Sequence, residues 1–155
     1  MKSEEFATAI NANDANTTKG DGVAVANSSL FTLHSSFKKS ERIVSQKLID
    51  QLFGGSDSHS LSAFPLRVVY MKRDIPNAVT PTQVLVSVPK RHLRHAVDRN
   101  RVKRQLREAY RHHKDLLPEG QSLALAFIWQ TDQCMPSAEV DSRMKNLLER
   151  IARKI

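Results

Sequence analysis

One segment limits what this chain can fold into more than any other. Residues 89–114, PKRHLRHAVDRNRVKRQLREAYRHHK, carry ten Lys or Arg against two acids, Asp98 and Glu108, a net charge of +8. Such a stretch joins a folded core as a helix that buries one stripe and leaves the charges on the other face. A helix starting at Ala96 or Asp98 and running to His113 supplies that stripe: Val102, Leu106, Ala109 and Tyr110 fall at i, i+4, i+7 and i+8 and share one face. Asn100, Arg104, Arg107 and Arg111 lie opposite, with Lys103 and Lys114 at the flank. The helix must therefore rest on a partner surface and turn a basic ridge to solvent.

The flanking segments supply the partner surface. Residues 83–88, QVLVSV, read as a strand, and a central one. Residues 122–129, SLALAFIW, are an apolar run of strand length that places Phe127 and Trp129 in the core, although its Leu and Ala content leaves a buried helix as the alternative. Upstream, residues 63–71 read as a strand, with Pro65 at its start or on an exposed edge. Residues 45–53 form a helix capped by Ser45, with Leu48, Ile49, Leu52 and Phe53 at helical spacing and Gly54-Gly55 as its stop. Residues 54–62 and 72–81 read as loops, from their Gly, Ser, Pro and charged content. Residues 137–155 form an amphipathic helix with Ser137 as N-cap and Val140, Met144, Leu147, Leu148 and Ile151 as its stripe. The order helix, strand, strand, helix, strand, helix points to an α+β fold, a two-layer α/β sandwich with helices on a small sheet.

Charge narrows the partners. The chain has 24 Lys or Arg against 16 Asp or Glu, and a pI near 9.9. Residues 1–36 are rich in Ala, Asn, Ser and Thr, have no sustained period, and read as a disordered extension. They hold two basic and four acidic residues, so residues 37–155 carry 22 basic and 12 acidic, net +10. That balance favours a polyanion, nucleic acid first, with an anionic membrane surface as the alternative on charge alone. No apolar run approaches the roughly 20 residues of a membrane span. The N-terminal residues lack the apolar core of a secretory signal. The one cysteine, Cys134, excludes an intramolecular disulfide and fits a reducing cytoplasm.

Arginine presents a planar fork that matches phosphate oxygens, and Arg104, Arg107 and Arg111 repeat at i, i+3 and i+7, so their heads follow one line. Such a line suits a phosphate backbone better than a compact ligand. His92, His95, His112 and His113 are better placed for RNA contacts than for a metal, since no Cys or carboxylate set completes a site. There is no glycine-rich phosphate loop, no nucleophile with its base, and no paired carboxylates in an apolar setting, so no catalytic residue is assigned to the protein.

The run AVDRNRVKRQLREAYR closely resembles the signature helix of the bacterial ribonuclease P protein subunit, with its RNR, hydrophobic, KR and RE spacing. The strand and basic loop before it, the FKKSER segment at 37–42 and the helix ending in Phe53 resemble the family as well, over residues 37–155. The resemblance implies a mixed sheet with a left-handed βαβ crossover into the RNR helix, an arrangement shared with a domain of a small-subunit ribosomal protein; the usual hand is right. It also implies the function. The protein assists an endoribonuclease that removes the 5′ leader of precursor tRNA, while the catalytic RNA holds the active site and most of the Mg²⁺. The partners implied are one catalytic RNA per protein and precursor tRNA, in the cytoplasm and without a membrane.

Residue by residue, the resemblance assigns Arg99, Asn100, Arg101, Lys103, Arg104 and Arg107 to the RNA-facing helix, and Lys90 and Arg91 to the basic loop; charge and spacing add Arg111 and Arg94 as RNA contacts. Asn100 is also implied as an outer-sphere metal contact. Phe53, Ile49 and Tyr70 are implied for a groove that takes the leader. The family's glycine turn is replaced here by His92-Leu93-Arg94-His95, one residue longer and more basic. A structural RNA-binding protein, such as a ribosomal protein, is the alternative. A DNA-reading helix-turn-helix fits poorly, because a strand precedes the basic helix.

Overall fold

The structure, a computed structural model, describes residues 37–74 and 82–155; the extension expected at 1–36 and residues 75–81 lie outside the described residues. After a 3₁₀ turn at Lys39–Glu41 come helix α1 (Gln46–Gly54), strands β1 (His59–Ala63), β2 (Leu66–Lys72) and β3 (Gln83–Ser87), and helix α2 (Ala96–His113). A second 3₁₀ turn (Lys114–Leu116), strand β4 (Leu123–Trp129) and helix α3 (Ser137–Ala152) complete the domain.

The four strands form one sheet in the order β1-β2-β4-β3. β1 and β2 are an antiparallel hairpin, β2 pairs antiparallel with β4, and β3 runs parallel to β4. The basic helix is thus the crossover of a βαβ unit whose two strands lie side by side, and the class is α+β with a mixed sheet, as expected.

Alternation sorts the strand residues between two cores. Leu66, Val68, Leu125, Phe127 and Trp129 face α2 and α3, where they join Leu106, Tyr110, Met144 and Leu148. Val69, Ala124 and Ala126 face the other way and pack with Ile43, Leu48 and Leu52 of the α1 segment. β4 is therefore covered on both faces, which explains why 123–129 is an unbroken apolar run rather than an alternating one. Its two small alanines leave room for α1 to sit close. α1 adds a partial third layer to the sandwich.

Three expectations change. Residues 59–63 are a strand, not part of a loop: HSLSA carries one apolar residue, Leu61, so its period is invisible in sequence, and pairing with β2 makes it a strand. The turn between them holds Phe64-Pro65, joined by a cis peptide bond, so Pro65 belongs to the hairpin tip. β3 is an edge strand and β4 the central one. The outer edge of β3 is covered by the N-terminal strap, where Arg42 bridges Val84 and the Ile43 amide donates to the Val84 carbonyl at 3.1 Å. Finally, Ser137 is the first residue of α3, not its cap. Its hydroxyl accepts from Gln105 Nε2 at 2.9 Å, and Pro136 stands at the cap position.

At the end of α1 the glycines do what the sequence suggests. Gly54 closes the helix, and a Cβ on Gly55 would stand 2.5 Å from the Gln51 carbonyl oxygen. Only glycine fits there.

Candidate nucleic-acid interface

The basic helix is two-sided. Val102, Leu106, Ala109 and Tyr110 are buried against the sheet and α3. Asn100, Arg101 and Arg104 are exposed, and Lys103, Arg107 and Arg111 are half-buried along the flank. The expected ridge is present. Among the described residues, neither Arg104 nor Arg107 has a carboxylate partner. Their charge is not spent inside the protein.

Three of the expected ridge residues behave differently. Arg99 turns back, and its guanidinium donates to the carbonyls of Leu93 and Arg94 at 2.9 and 2.6 Å. It holds the basic loop against the start of α2 rather than presenting a fork to solvent. Arg111 clasps Glu108 through two nitrogens, at 3.1 and 2.5 Å, and this pairing pulls the Glu108 carboxyl below its ordinary pKa. Lys114, placed at the flank by sequence, is nearly buried and paired with Glu41 at 2.9 Å.

The loop before α2 extends the charge. Lys90, Arg91 and Arg94 are exposed, while Leu93 is buried and pins the loop to the core. The amides of His92 and Leu93 donate to the Pro89 carbonyl at 3.1 and 3.3 Å. His92 Nδ1 lies 2.8 Å from Asp132, which ties the loop to the segment leading into α3. The ridge and the loop therefore form one held surface.

The histidines at the other end of α2 serve the protein's own packing. His112 Nδ1 and His113 Nε2 lie 3.3 and 2.7 Å from the two oxygens of Asp141 on α3. Burial alone would raise the Asp141 pKa, but the bonds from His113 and His112 outweigh it and hold the carboxyl low. These two rings are the main partners of Asp141.

The groove assigned to Ile49, Phe53 and Tyr70 does not assemble as one surface. Phe53 is 49% exposed near the end of α1, and Ile49 is half-buried against the α1-side core. Tyr70 is 4% exposed and belongs to the core on the opposite face, beside His59 at 5.6 Å. Strand alternation is the reason: Val69 and Met71 point toward α1, and Tyr70 between them points away. A cavity of about 490 Å³ does lie beside α1, lined by Lys47, Gln51, Met71, Lys72 and Arg73 among others. Met71 and Lys72 of β2 and Arg73 just after it line the cavity, in place of Tyr70.

A second concavity escaped the sequence. Phe37 packs edge-on against Tyr110 at 5.8 Å, and the Arg42 guanidinium stands over its ring at 5.6 Å. Together they wall a groove between α2 and the start of α3. Only long-range packing brings these residues to the basic helix, so no local pattern announces them.

For metals, Asn100 is exposed on the second turn of α2. Among the described residues, no group of three or more His, Cys, Asp or Glu is placed to hold an ion. One exposed amide cannot supply the octahedral oxygen set that Mg²⁺ demands; it can touch a hydrated ion through water.

Comparison with known proteins joins the fold to the interface. A family model described as Ribonuclease P matches residues 37–152, three quarters of the chain. The chain belongs to the ribonuclease P protein family. The ribonuclease P protein component of Porphyromonas gingivalis strain W83 is 40% identical over 119 residues, covering 74% of this chain and 85% of that one. The ribonuclease P protein component of Chlorobium phaeobacteroides is 38% identical over 85 residues, covering 54% and 57%. The fold agrees with solved ribonuclease P proteins. That of Staphylococcus aureus superposes with a TM-score of 0.59 at 21% identity, over 73% of this chain and 96% of that one. That of Thermotoga maritima gives 0.58 at 21%, over 71% and 96%. Within this ribonuclease P frame, Asn100 and Arg101 of the RNR segment lie on the solvent side of the crossover helix, and Arg99 turns back to hold the loop before it. Among the described residues, no helix is long and apolar enough to cross a membrane.

Proposed function

We propose that this chain is the protein subunit of a bacterial ribonuclease P, and that it binds the catalytic RNA and the 5′ leader of precursor tRNA to assist removal of that leader. The observation that carries the reading is the outer face of α2. It is rigidly seated by its apolar stripe, yet Arg104 and Arg107 have no carboxylate partner among the described residues.

In this reading the protein performs no bond breaking. Asn100, Arg101, Lys103, Arg104 and Arg107, with Lys90, Arg91 and Arg94, neutralise phosphates of the catalytic RNA and fix its position. Arg99 acts indirectly by shaping the loop. Phe53 and Ile49 on α1 offer the leader apolar surface, and Lys47 of the same helix and Arg73 line the cavity beside it with positive charge. The hydrolysis is supplied by Mg²⁺ held mainly by the RNA, and Asn100 reaches such an ion only through its water shell. The protein lowers the ion concentration needed, because its fixed cations replace diffuse ones around two RNAs that repel each other. One protein per RNA and a cytoplasmic location complete the proposal.

Cleavage of precursor tRNA by a bacterial ribonuclease P RNA at low Mg²⁺, with and without the protein, tests it. Restored cleavage at the mature 5′ end is the expected result. Binding of the RNA without any rescue would instead favour a purely structural RNA-binding role.

A further inference from the structure

We infer that the groove between α2 and the start of α3 is a pocket for one extrahelical nucleotide of the bound RNA. The inference deepens the RNA-interface reading and rests on it. The groove has a volume of about 790 Å³, within the range of sites that enclose a nucleotide-sized ligand. Its lining is unlike the rest of the ridge. Phe37, Ala109 and Ala138 give it apolar surface, while Arg42, Arg104 and Arg107 supply cations.

A duplex backbone needs only the cations; it has no use for an apolar recess behind them. An unpaired base does. Bases displaced from a helix stack on aromatic rings and on guanidinium planes, and both are present here in contact, the Phe37 ring and the Arg42 plane over it. Tyr110 braces the ring edge-on from the core side, so the platform is fixed before the ligand arrives. The groove also contains two acids that would repel a phosphate, Glu108 and Asp141. Both are already engaged, Glu108 by Arg111 and His112, and Asp141 by His112 and His113. The pocket therefore presents a net cationic rim: phosphate on Arg104 and Arg107, base against Phe37, Arg42 and Ala138. It would give the protein a preference for RNA with a bulged or looped nucleotide over RNA that is paired throughout.

The test uses the full chain and two hairpin RNAs that differ by a single bulged 2-aminopurine. The bulged hairpin is expected to bind on the order of tenfold more tightly, the effect of one stacked base, with a change in 2-aminopurine fluorescence on binding. Phe37→Leu, which keeps apolar packing, and Ala138→Leu, which fills the recess from an exposed position, should each erase the preference without weakening the paired hairpin. Equal binding of the two hairpins by the wild type overturns the pocket while leaving the RNA interface intact. A preference that survives both substitutions overturns it equally. If neither hairpin binds, the interface itself is wrong and the pocket falls with it. Adenosine 5′-monophosphate binding alone as tightly as the bulged hairpin would overturn an RNA nucleotide in favour of a free one.

Discussion

Glu41 is the single buried charged residue among the described residues, 8% exposed. Its two oxygens are divided between the Lys38 amide, at 2.8 Å, and the Lys114 ammonium, at 2.9 Å. One side chain thus fastens the N-terminal strap to the end of the basic helix. Removing the Glu41 carboxylate breaks both contacts at once, and breaking a nearly buried ion pair is costly. Glu41→Ala is expected to lower the unfolding free energy by about 3 kcal/mol, measured by urea titration. Adding Lys114→Met should restore part of that loss. Asp141 gives a second prediction, with a sign that follows from its lowered pKa. A carboxyl held below its usual value stabilises the fold above that value, and the contribution disappears as the pH falls through the lowered one. Stability should therefore decline with acid below about pH 4, near the ordinary carboxyl range. Asp141→Asn should make that decline shallower in thermal scans across the acid range.

Among the elements, α2 divides its labour most cleanly, and substitutions on its two sides should separate stability from binding. Leu106, fully buried, should cost roughly 3 kcal/mol of stability as alanine. Arg104→Ala with Arg107→Ala should leave stability unchanged but weaken catalytic-RNA binding. The slope of log affinity against log salt should fall by roughly 1.5, as expected for two lost phosphate contacts. Filter binding across a salt series reads both quantities; an unaltered slope would sink the helix assignment. This two-sidedness was legible in the sequence, because helical periodicity is local and the apolar stripe interrupts a charged run at fixed intervals. The same holds for Phe127 and Trp129 in the core. Strand assignments were less legible. β1 has one apolar residue to show, and β3 looks central because both its faces, rather than both its edges, are covered by apolar groups. Tyr70 was put on the wrong side of the sheet because a face depends on register, and register is set by partners distant in sequence. Phe37 and Arg42 were missed as a groove wall for the same reason: they meet Tyr110 and α2 only through the tertiary fold.

The whole molecule depends on the strand that comes late in the chain. β4 alone joins the β1-β2 hairpin to β3, since β2 and β3 share no hydrogen bonds of the sheet. It also supplies residues to both cores. A chain stopped at residue 122 should show no cooperative unfolding transition by circular dichroism, despite retaining three strands and two helices. In synthesis the order has a further meaning. The arginine-rich helix leaves the ribosome before the strand it must rest against, so it spends that interval unseated beside ribosomal RNA, a polyanion in great excess. The interval between emergence of residue 113 and emergence of residue 129 thus sets how long the nascent chain is exposed to capture by the wrong RNA before folding commits it to the right one.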